Sequence, residues 1–236
     1  MNSRLLLFTL SLVAFCSASL RADGVHYLPA GRPDAVQLLA PPPAPGSPED
    51  RQEIDAAHRV HMAATVEQLA RGTDETKLTI FHFAPAIGPW FQPGKFPKTE
   101  ALFAAVETDA RTVTSLAKQH WQRIRPYHVD APLFPRAIEH EARTDYSYPS
   151  GHATRGTLFA AILGELFPEK RAALFDLGRE AGWLRMLGGV HYPSDIFAGR
   201  VLGQALAQEF LRSENFQADL AAARAELAAG RPPKGE

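Results

Sequence analysis

Cysteine is nearly absent from the 236-residue sequence, which contains only Cys16. This residue falls in a segment typical of a cleaved secretory signal, so we expect a mature protein without disulfides or thiol chemistry. After that segment no stretch approaches eighteen uninterrupted apolar residues, and no membrane-spanning helix is predicted. Net charge is also low, at -1. No overall basic field therefore points to nucleic acid or an anionic membrane surface, and any anion site must be local.

The first 22 residues have the three parts of a secretory signal. Residues 1–4 carry the charge of Arg4, residues 5–15 are apolar, and residues 16–19 supply small side chains. The apolar part is too short to span a bilayer and is typical of a signal that is removed. Cleavage after Ser19 and cleavage after Ala22 both fit the pattern. We expect a periplasmic or secreted protein.

The rest of the chain divides into three parts. Residues 23–48 are rich in proline and are predicted to form an extended lead-in outside the core. Residues 49–229 carry helical patterns, and residues 230–236 are predicted to be a polar tail. The predicted helices are Pro48 to about Gly72, Thr99 to Ile124, His152 to Leu166, Pro168 to Leu187, Pro193 to Leu211, and Phe216 to Ala229. Because no strand-like alternation occurs, the fold class is predicted to be all-α, a single-domain helical bundle.

Two features between the helices bear on function. Residues 85–97 and 127–147 are rich in turn formers and are predicted to be loops at the rim of a site. Asp55, His58 and His61 share one face of the first long helix, at a spacing that resembles a metal site. No further ligand pairs with them in sequence, so a solvated polar face is favoured and no metal site is predicted.

Three clusters could bind an anion, and each has a structural alternative when taken alone. Lys118 and Arg125 are two helical turns apart and would face the same way, towards either an anion or water. Residues 149–152 place Gly151 and His152 at a helix start, which suits either anion binding or simple capping.

The third cluster joins a histidine to a carboxylate. Pro193 suits the first turn of a helix, with His191 just before it and Asp195 inside that turn. The carboxylate could fix the imidazole tautomer, leaving the other ring nitrogen as an acceptor or nucleophile, or it could merely cap the helix. Arg185 precedes His191 by six residues and belongs to the same cluster.

Together the clusters carry a recognisable order of motifs. The sequence has Lys-x6-Arg-Pro at 118–126, Pro-Ser-Gly-His at 149–152 and Arg-x5-His-x3-Asp at 185–195. This order resembles the three-part signature of the phosphatidic acid phosphatase type 2 superfamily, which includes bacterial class A acid phosphatases and vanadium-dependent haloperoxidases. The middle motif is most similar to that of the class A acid phosphatases. Leu184 stands where the family usually has serine.

The resemblance implies a role for each matching residue. His191 would be the nucleophile that forms a phosphohistidine, Asp195 would orient it, and His152 would protonate the leaving alcohol and then activate water. The residues implied to hold the phosphoryl oxygens are Lys118, Arg125, Ser150, Gly151 and Arg185. Three cations without a metal suit phosphoryl transfer, which demands mainly positioning and charge neutralisation.

We therefore expect an exported, metal-independent acid phosphatase that hydrolyses small phosphate monoesters and can also transfer phosphate to alcohols. No cofactor is predicted, and vanadate should bind as a phosphate mimic. Two alternatives stay open: a vanadium-dependent haloperoxidase using the same pocket, and a phosphoester-binding protein without turnover. No nucleic-acid partner is expected, and the sequence leaves the natural substrate and the oligomeric state open, a homo-oligomer included.

Overall fold

The computed structural model describes residues 26–138 and 146–232, and every regular element within these ranges is helical. The α-helices are α1 (Ala35–Leu38), α2 (Pro48–Ala63), α3 (Val66–Asp74), α4 (Ala84–Ile87), α5 (Pro97–Trp121), α6 (Pro126–Val129), α7 (Gly151–Leu166), α8 (Arg171–Leu187), α9 (Pro193–Arg212) and α10 (Glu214–Gly230). Short 3-10 turns lie at Glu75–Lys77, Ile80–Phe83, Ala131–Leu133 and Pro168–Lys170. The predicted all-α fold is confirmed. The predicted signal segment lies outside the described residues.

Helix α7 lies at the centre and is buried along nearly all of its length, because α8 and α9 cover its flanks. The three backbones approach closely at glycines. A Cβ added at Gly156 would lie 2.6 Å from the Gly178 carbonyl oxygen, and one at Gly199 would lie 2.5 Å from the Ser150 carbonyl oxygen. The second contact holds the start of α7 beside the first turns of α9. Two segments of the predicted site are thereby brought together.

Helix α5 packs against α7 and α10 through the apolar positions that its sequence predicted, including Leu102 and Val106. Its ends differ from the prediction. It begins before Thr99, because the carboxylate of Glu226 on α10 accepts hydrogen bonds from the backbone N–H groups of Lys98 and Thr99, both at 2.9 Å. It ends at Trp121, after which the next residue adopts a left-handed conformation with φ of 49°. The start thus depends on a residue more than a hundred positions away.

The first predicted long helix is divided into α2 and α3. Thr65 causes the break by forming a capping box with Gln68: the Thr65 hydroxyl accepts the Gln68 N–H at 3.2 Å, and the Gln68 side chain accepts the Thr65 N–H at 2.9 Å. The second helix therefore starts afresh.

The polar face predicted on α2 is not uniformly solvated. Asp55 is exposed, but His61 is fully buried. The Nδ1 atom of His61 lies 2.8 Å from the Leu187 carbonyl oxygen, and its Nε2 atom accepts the Arg136 backbone N–H at 3.2 Å. Because one partner is a carbonyl and the other an N–H, Nδ1 must carry the proton. His61 thus links α2 to the end of α8 and to the loop before residue 139.

The proline-rich lead-in contributes to the core, in contrast to the prediction. Tyr27, Leu28, Ala35 and Leu39 are all buried in the main hydrophobic cluster. The carboxylate of Asp109 on α5 accepts the backbone N–H groups of residues 26, 27 and 28 at 2.6, 2.8 and 3.2 Å. Because Asp109 on α5 accepts the hydrogen bonds of these N–H groups, this irregular segment can be buried without leaving them unpaired.

The two predicted rim loops contain short helical turns. Helix α4 occupies the start of the 85–97 segment, and α6 with a 3-10 turn occupies part of 127–147, of which residues 139–145 lie outside the described part. Helix α10 continues through Gly230, into the predicted tail. In the ranges 26–138 and 146–232, no helix combines the length and apolarity needed to cross a membrane.

Candidate active site

A cavity of about 160 Å³ opens where the starts of α7 and α9 meet the second half of α5. Five of the eight predicted site residues line it: Lys118, Arg125, Gly151, His152 and His191. The other described residues in its wall are Thr76, Arg111, Thr114, Ser115, Gln119, Tyr146 and Arg155. The three sequence clusters, which span more than seventy residues, therefore meet in one cavity.

His191 lies between a carboxylate and a guanidinium. Its Nδ1 atom is 3.0 Å from Oδ2 of Asp195, and its Nε2 atom is 3.2 Å from Nη1 of Arg125. An arginine can only donate hydrogen bonds, so Nε2 must be the acceptor and Nδ1 must carry the proton. The Nε2 lone pair is therefore directed towards Arg125, which lines the cavity together with His191. This is the protonation state that a nitrogen nucleophile needs.

The electrostatic surroundings favour the neutral form of His191. Burial lowers the pKa of His191 well below its usual range, and the Arg125, Lys118 and Arg185 cations lower it further. Burial raises the pKa of Asp195, while the Arg123 guanidinium and the backbone N–H of Tyr192 act in the opposite direction. Neutral His191 can therefore persist under acidic conditions that would protonate an exposed histidine.

His152 has a different hydrogen-bonding environment. Its Nε2 atom lies 3.2 Å from the Glu75 carbonyl oxygen and 3.1 Å from the Thr76 carbonyl oxygen. Since carbonyl oxygens only accept, Nε2 must be the protonated nitrogen in either charge state of the ring, and proton exchange is assigned to Nδ1. Backbone carbonyls also stabilise an imidazolium. The two site histidines thus have opposite partners, an arginine on one and carbonyls on the other.

Arg125 and Lys118 converge in a way that the sequence did not predict. We expected them on one face of one helix, but α5 ends between them, so that interpretation is wrong. The chain turns back after Trp121, and Nη1 of Arg125 donates to the Val190 carbonyl oxygen at 2.8 Å. Nζ of Lys118 donates to the Tyr146 carbonyl oxygen. The loop fold, and not helical periodicity, brings the two cations to the cavity.

Ser150, Arg185 and Asp195 are not among the described residues of the cavity wall and lie behind it. The Ser150 hydroxyl caps α7 by accepting the Ala153 N–H at 3.3 Å. Nη1 of Arg185 donates to the Gly72 carbonyl oxygen at 3.1 Å. Burial, together with the Arg125 cation, lowers the pKa of Arg185 to about 9, so this guanidinium stays charged in acid.

Arg123, which was not among the predicted site residues, connects the site to α2. Its Nη1 atom donates to Oδ1 of Asp195 at 2.9 Å, and its Nη2 atom donates to Oε2 of Glu53 at 2.8 Å and to Oδ1 of Asp50 at 3.3 Å. Its guanidinium carbon lies 3.8 Å from the centre of the Tyr192 ring. The available signal was a second arginine two residues before Arg125. Its partners could not be read from that spacing.

Two other predictions concern the surroundings of the site. Leu184 is buried in a small apolar cluster with Ala64 and Leu187, so the position that is usually serine in the family packs here against apolar side chains. Within the described ranges, no group of three or more His, Cys, Asp or Glu side chains is arranged to hold a metal ion.

This geometry defines a class of protein: an all-α bundle with two histidines in the wall of a cation-lined cavity, an arrangement suited to phosphoryl transfer through a histidine nucleophile. Comparison with known proteins then gives the family. The family model described as "PAP2 superfamily" matches residues 101–218. The chain belongs to the PAP2 superfamily, and the family predicted from the motifs is confirmed.

Named relatives agree with this family. The chain is 31% identical to a non-specific acid phosphatase of Salmonella typhimurium, over 96% of this chain and 93% of the relative. It is 28% identical to an acid phosphatase of Zymomonas mobilis, over 82% of this chain and 75% of the relative. It is 27% identical to a non-specific acid phosphatase of Providencia stuartii, over 83% and 81% respectively.

Proposed function

We propose that this acid phosphatase of the PAP2 superfamily hydrolyses small phosphate monoesters through a phosphohistidine on His191. One observation carries the proposal: the Nε2 atom of His191 is an acceptor beside Arg125, while its Nδ1 proton is directed to Asp195. A protein that only binds phosphate needs the cations but not this oriented lone pair.

In the first half of the reaction, Nε2 of His191 attacks phosphorus and the bond from phosphorus to the ester oxygen breaks. His152 gives its Nδ1 proton to that oxygen, and the alcohol leaves. Lys118 and Arg125, with the Gly151 N–H at the start of α7, bind the phosphoryl oxygens, and the buried Arg185 adds positive charge from behind the cavity wall. Asp195 compensates the positive charge that develops on the His191 ring.

In the second half, a water molecule attacks phosphorus and the phosphorus–nitrogen bond breaks. His152, now neutral, takes the proton of that water, and inorganic phosphate leaves. Both residues then regain their starting protonation states. An alcohol in place of water would give a new phosphate ester, so the same intermediate accounts for phosphotransfer.

Activity in acid follows from the opposite needs of the two histidines. His191 must be neutral, and its pKa lies well below the usual range. His152 must begin protonated, and because its Nε2–H is held by two carbonyl oxygens, the proton that it transfers is the one on Nδ1. We propose an acidic pH optimum and no requirement for a divalent metal, since the side-chain cations supply the charge. Vanadate, which resembles phosphate in shape and charge, would compete for the site.

We also propose that the protein is exported. This proposal is supported by the charged, apolar and small-residue segments of residues 1–22, which follow the order of a cleavable secretory signal. Fractionation of the native host would test it, by locating the full-length gene product and by sequencing its mature N-terminus near residues 19–22.

The covalent step can be tested by trapping. The enzyme is mixed with a phosphate ester labelled at phosphorus, quenched in alkali, in which phosphohistidine is stable, and digested. We expect label on the peptide that contains His191, hydrolysis that survives a chelator, and loss of both in His191→Ala. The exposed His120 on α5 provides a matched control, because His120→Ala should keep labelling and turnover.

Three outcomes would contradict the proposal. Substantial hydrolysis by His191→Ala would exclude His191 as the nucleophile. Binding of phosphate esters without turnover in the wild type would favour the non-catalytic alternative. Bromination in the presence of vanadate, peroxide and bromide, without ester hydrolysis, would favour the haloperoxidase alternative.

A further inference from the structure

Two arginines outside the family motifs line the same cavity as His191. Arg111 on α5 and Arg155 on α7 both lie close to the carboxylate of Glu107. Nε and Nη2 of Arg111 donate to Oε1 of Glu107 at 2.9 and 2.6 Å, and Nε of Arg155 lies 3.5 Å from the same oxygen. One carboxylate thus holds Arg111 by hydrogen bonds and pairs with Arg155 by charge.

Their position relative to the phosphoryl-binding residues is set by the two helices. Arg155 follows Gly151 by one helical turn, and its Nη1 atom lies 3.4 Å from where a Cβ of Gly151 would be. Arg111 precedes Lys118 by two turns, which is about 10 Å along α5. The side chain of Arg111 is 58% exposed, whereas Lys118 is buried. Arg111 therefore lines the outer part of the cavity, whereas Arg155 is buried like Lys118 and lies deeper, beside Gly151.

Hydrolysis of a simple ester does not use these two guanidinium groups. The inner cations already neutralise one phosphoryl group, and the leaving group departs past the outer part. Guanidinium groups bind carboxylates and phosphates strongly, often through paired N–H donors. Each has five donors, so it can keep Glu107 as a partner and still bind a ligand. Ser115 and Gln119 add hydrogen-bonding side chains to the same wall.

We propose that Arg111 and Arg155 form a second anion subsite, which binds a carboxylate or phosphate carried by the leaving group of the substrate. The substrate class is then phosphate monoesters with a second anion a few bonds from the scissile one. This inference rests on the proposed function, because it takes the inner end of the cavity as the reacting end. The separation of the inner and outer ends of the cavity follows from the helical spacing alone and does not depend on the proposed function.

Matched substrates test the subsite. Propane-1,3-diol monophosphate has a neutral leaving group, propane-1,3-diol bisphosphate adds a phosphate, and the phosphate ester of 3-hydroxypropanoate adds a carboxylate. For the wild type we expect kcat/KM to be about tenfold higher for the two substrates with a charged leaving group, which is the gain that one charge-assisted hydrogen bond would give. The value for the bisphosphate is first divided by two, because either of its equivalent ends can react. Arg155→Met and Arg111→Met should each bring this ratio towards one. The two charged substrates show which anion is preferred.

The control is Arg212→Met, which removes an exposed arginine that pairs with Glu209 at the far end of α9. This variant should keep the wild-type ratio. A wild-type ratio near one, or a ratio unchanged in both Arg111→Met and Arg155→Met, would overturn the subsite.

Binding to His191→Ala separates the subsite from the proposed chemistry. Calorimetry should give a Kd for the bisphosphate about tenfold below that for the monophosphate, and Arg155→Met introduced into His191→Ala should abolish the difference. If the wild type hydrolysed no ester, the proposed function would fail. The ratio of the two Kd values would still show whether the second anion subsite exists. If esters were hydrolysed without any charge preference in rate or binding, the subsite alone would fail.

Discussion

Replacing Arg123 with methionine should impair both folding and catalysis, because this guanidinium lies between buried acids. It donates to Asp195 at 2.9 Å and to Glu53 at 2.8 Å, and its side chain is 5% exposed while that of Asp195 is fully buried. Methionine keeps much of the packing area over the Tyr192 ring and removes the charge and the donors. The variant therefore isolates the electrostatic role from side-chain volume.

The expected loss of stability is large. Removing one partner of a buried ion pair leaves the other charge uncompensated and costs about 3–5 kcal/mol. Here the uncompensated group is Asp195, with Glu53 and Asp50 also losing a donor. Since domains are stable by about 5–15 kcal/mol, the variant should remain folded but with a much lower urea midpoint. Arg123→Lys keeps a charge but lacks the planar guanidinium group that reaches two acids at once. Its stability should therefore lie between that of the wild type and that of Arg123→Met.

The expected catalytic loss is about 10- to 100-fold in kcat, the range found where a residue that orients a metal-bound imidazole is removed. The pH dependence gives the sharper test. The guanidinium lowers the pKa of Asp195 against the effect of burial. Without it this pKa rises further, so Asp195 is neutralised at higher pH and can no longer accept the His191 proton. The acidic limb of kcat should therefore move to higher pH, and a purely structural role would not move it.

Three measurements decide the matter: urea unfolding, kcat at saturating substrate, and kcat against pH for the wild type, Arg123→Met and Arg123→Lys. Arg212→Met serves as the control, since an exposed pair contributes about 0–1 kcal/mol. A stability loss for Arg123→Met below about 1 kcal/mol would refute the buried-charge reasoning. An acidic limb that stayed in place would refute the link from Arg123 through Asp195 to His191.

Two further predictions concern residues outside the cavity. Burial lowers the pKa of His61, so the stability that neutral His61 contributes is complete above the unfolded-state pKa of about 6.5 and is lost as pH falls through the folded-state pKa. The free energy of unfolding in urea should therefore differ less between pH 7 and pH 5 for His61→Gln than for the wild type. Gly199→Ala would place a Cβ 2.5 Å from the Ser150 carbonyl oxygen and should cost about 1–3 kcal/mol, measured by thermal unfolding; an unchanged Tm would contradict close packing of α7 on α9.

The helices could be predicted where their signals are local. Apolar periodicity identified α7, α8 and α9 within a few residues, and Ser47 with Pro48 marked the start of α2. The errors occur where a distant residue decides. Glu226 caps α5 from another helix, and Asp109 holds the lead-in against the core. Neither contact follows from a pattern in the segment that it affects, because both join residues about 80 to 130 positions apart.

The candidate site likewise contains residues that local motifs indicate and residues that only distant contacts position. Gly151 and His152 lie in a short motif, because the start of α7 fixes their geometry within a few positions. Arg123 has no such local constraint: its acids come from α2 and α9, about 70 residues away on either side. Sequence spacing could indicate that Asp195 orients His191, since one helical turn joins them. It could not indicate what keeps a fully buried Asp195 ionised, because that depends on a charge brought in by the turn after α5. We therefore expect Arg123, which no motif includes, to set how far into acid Asp195 can accept the proton of His191.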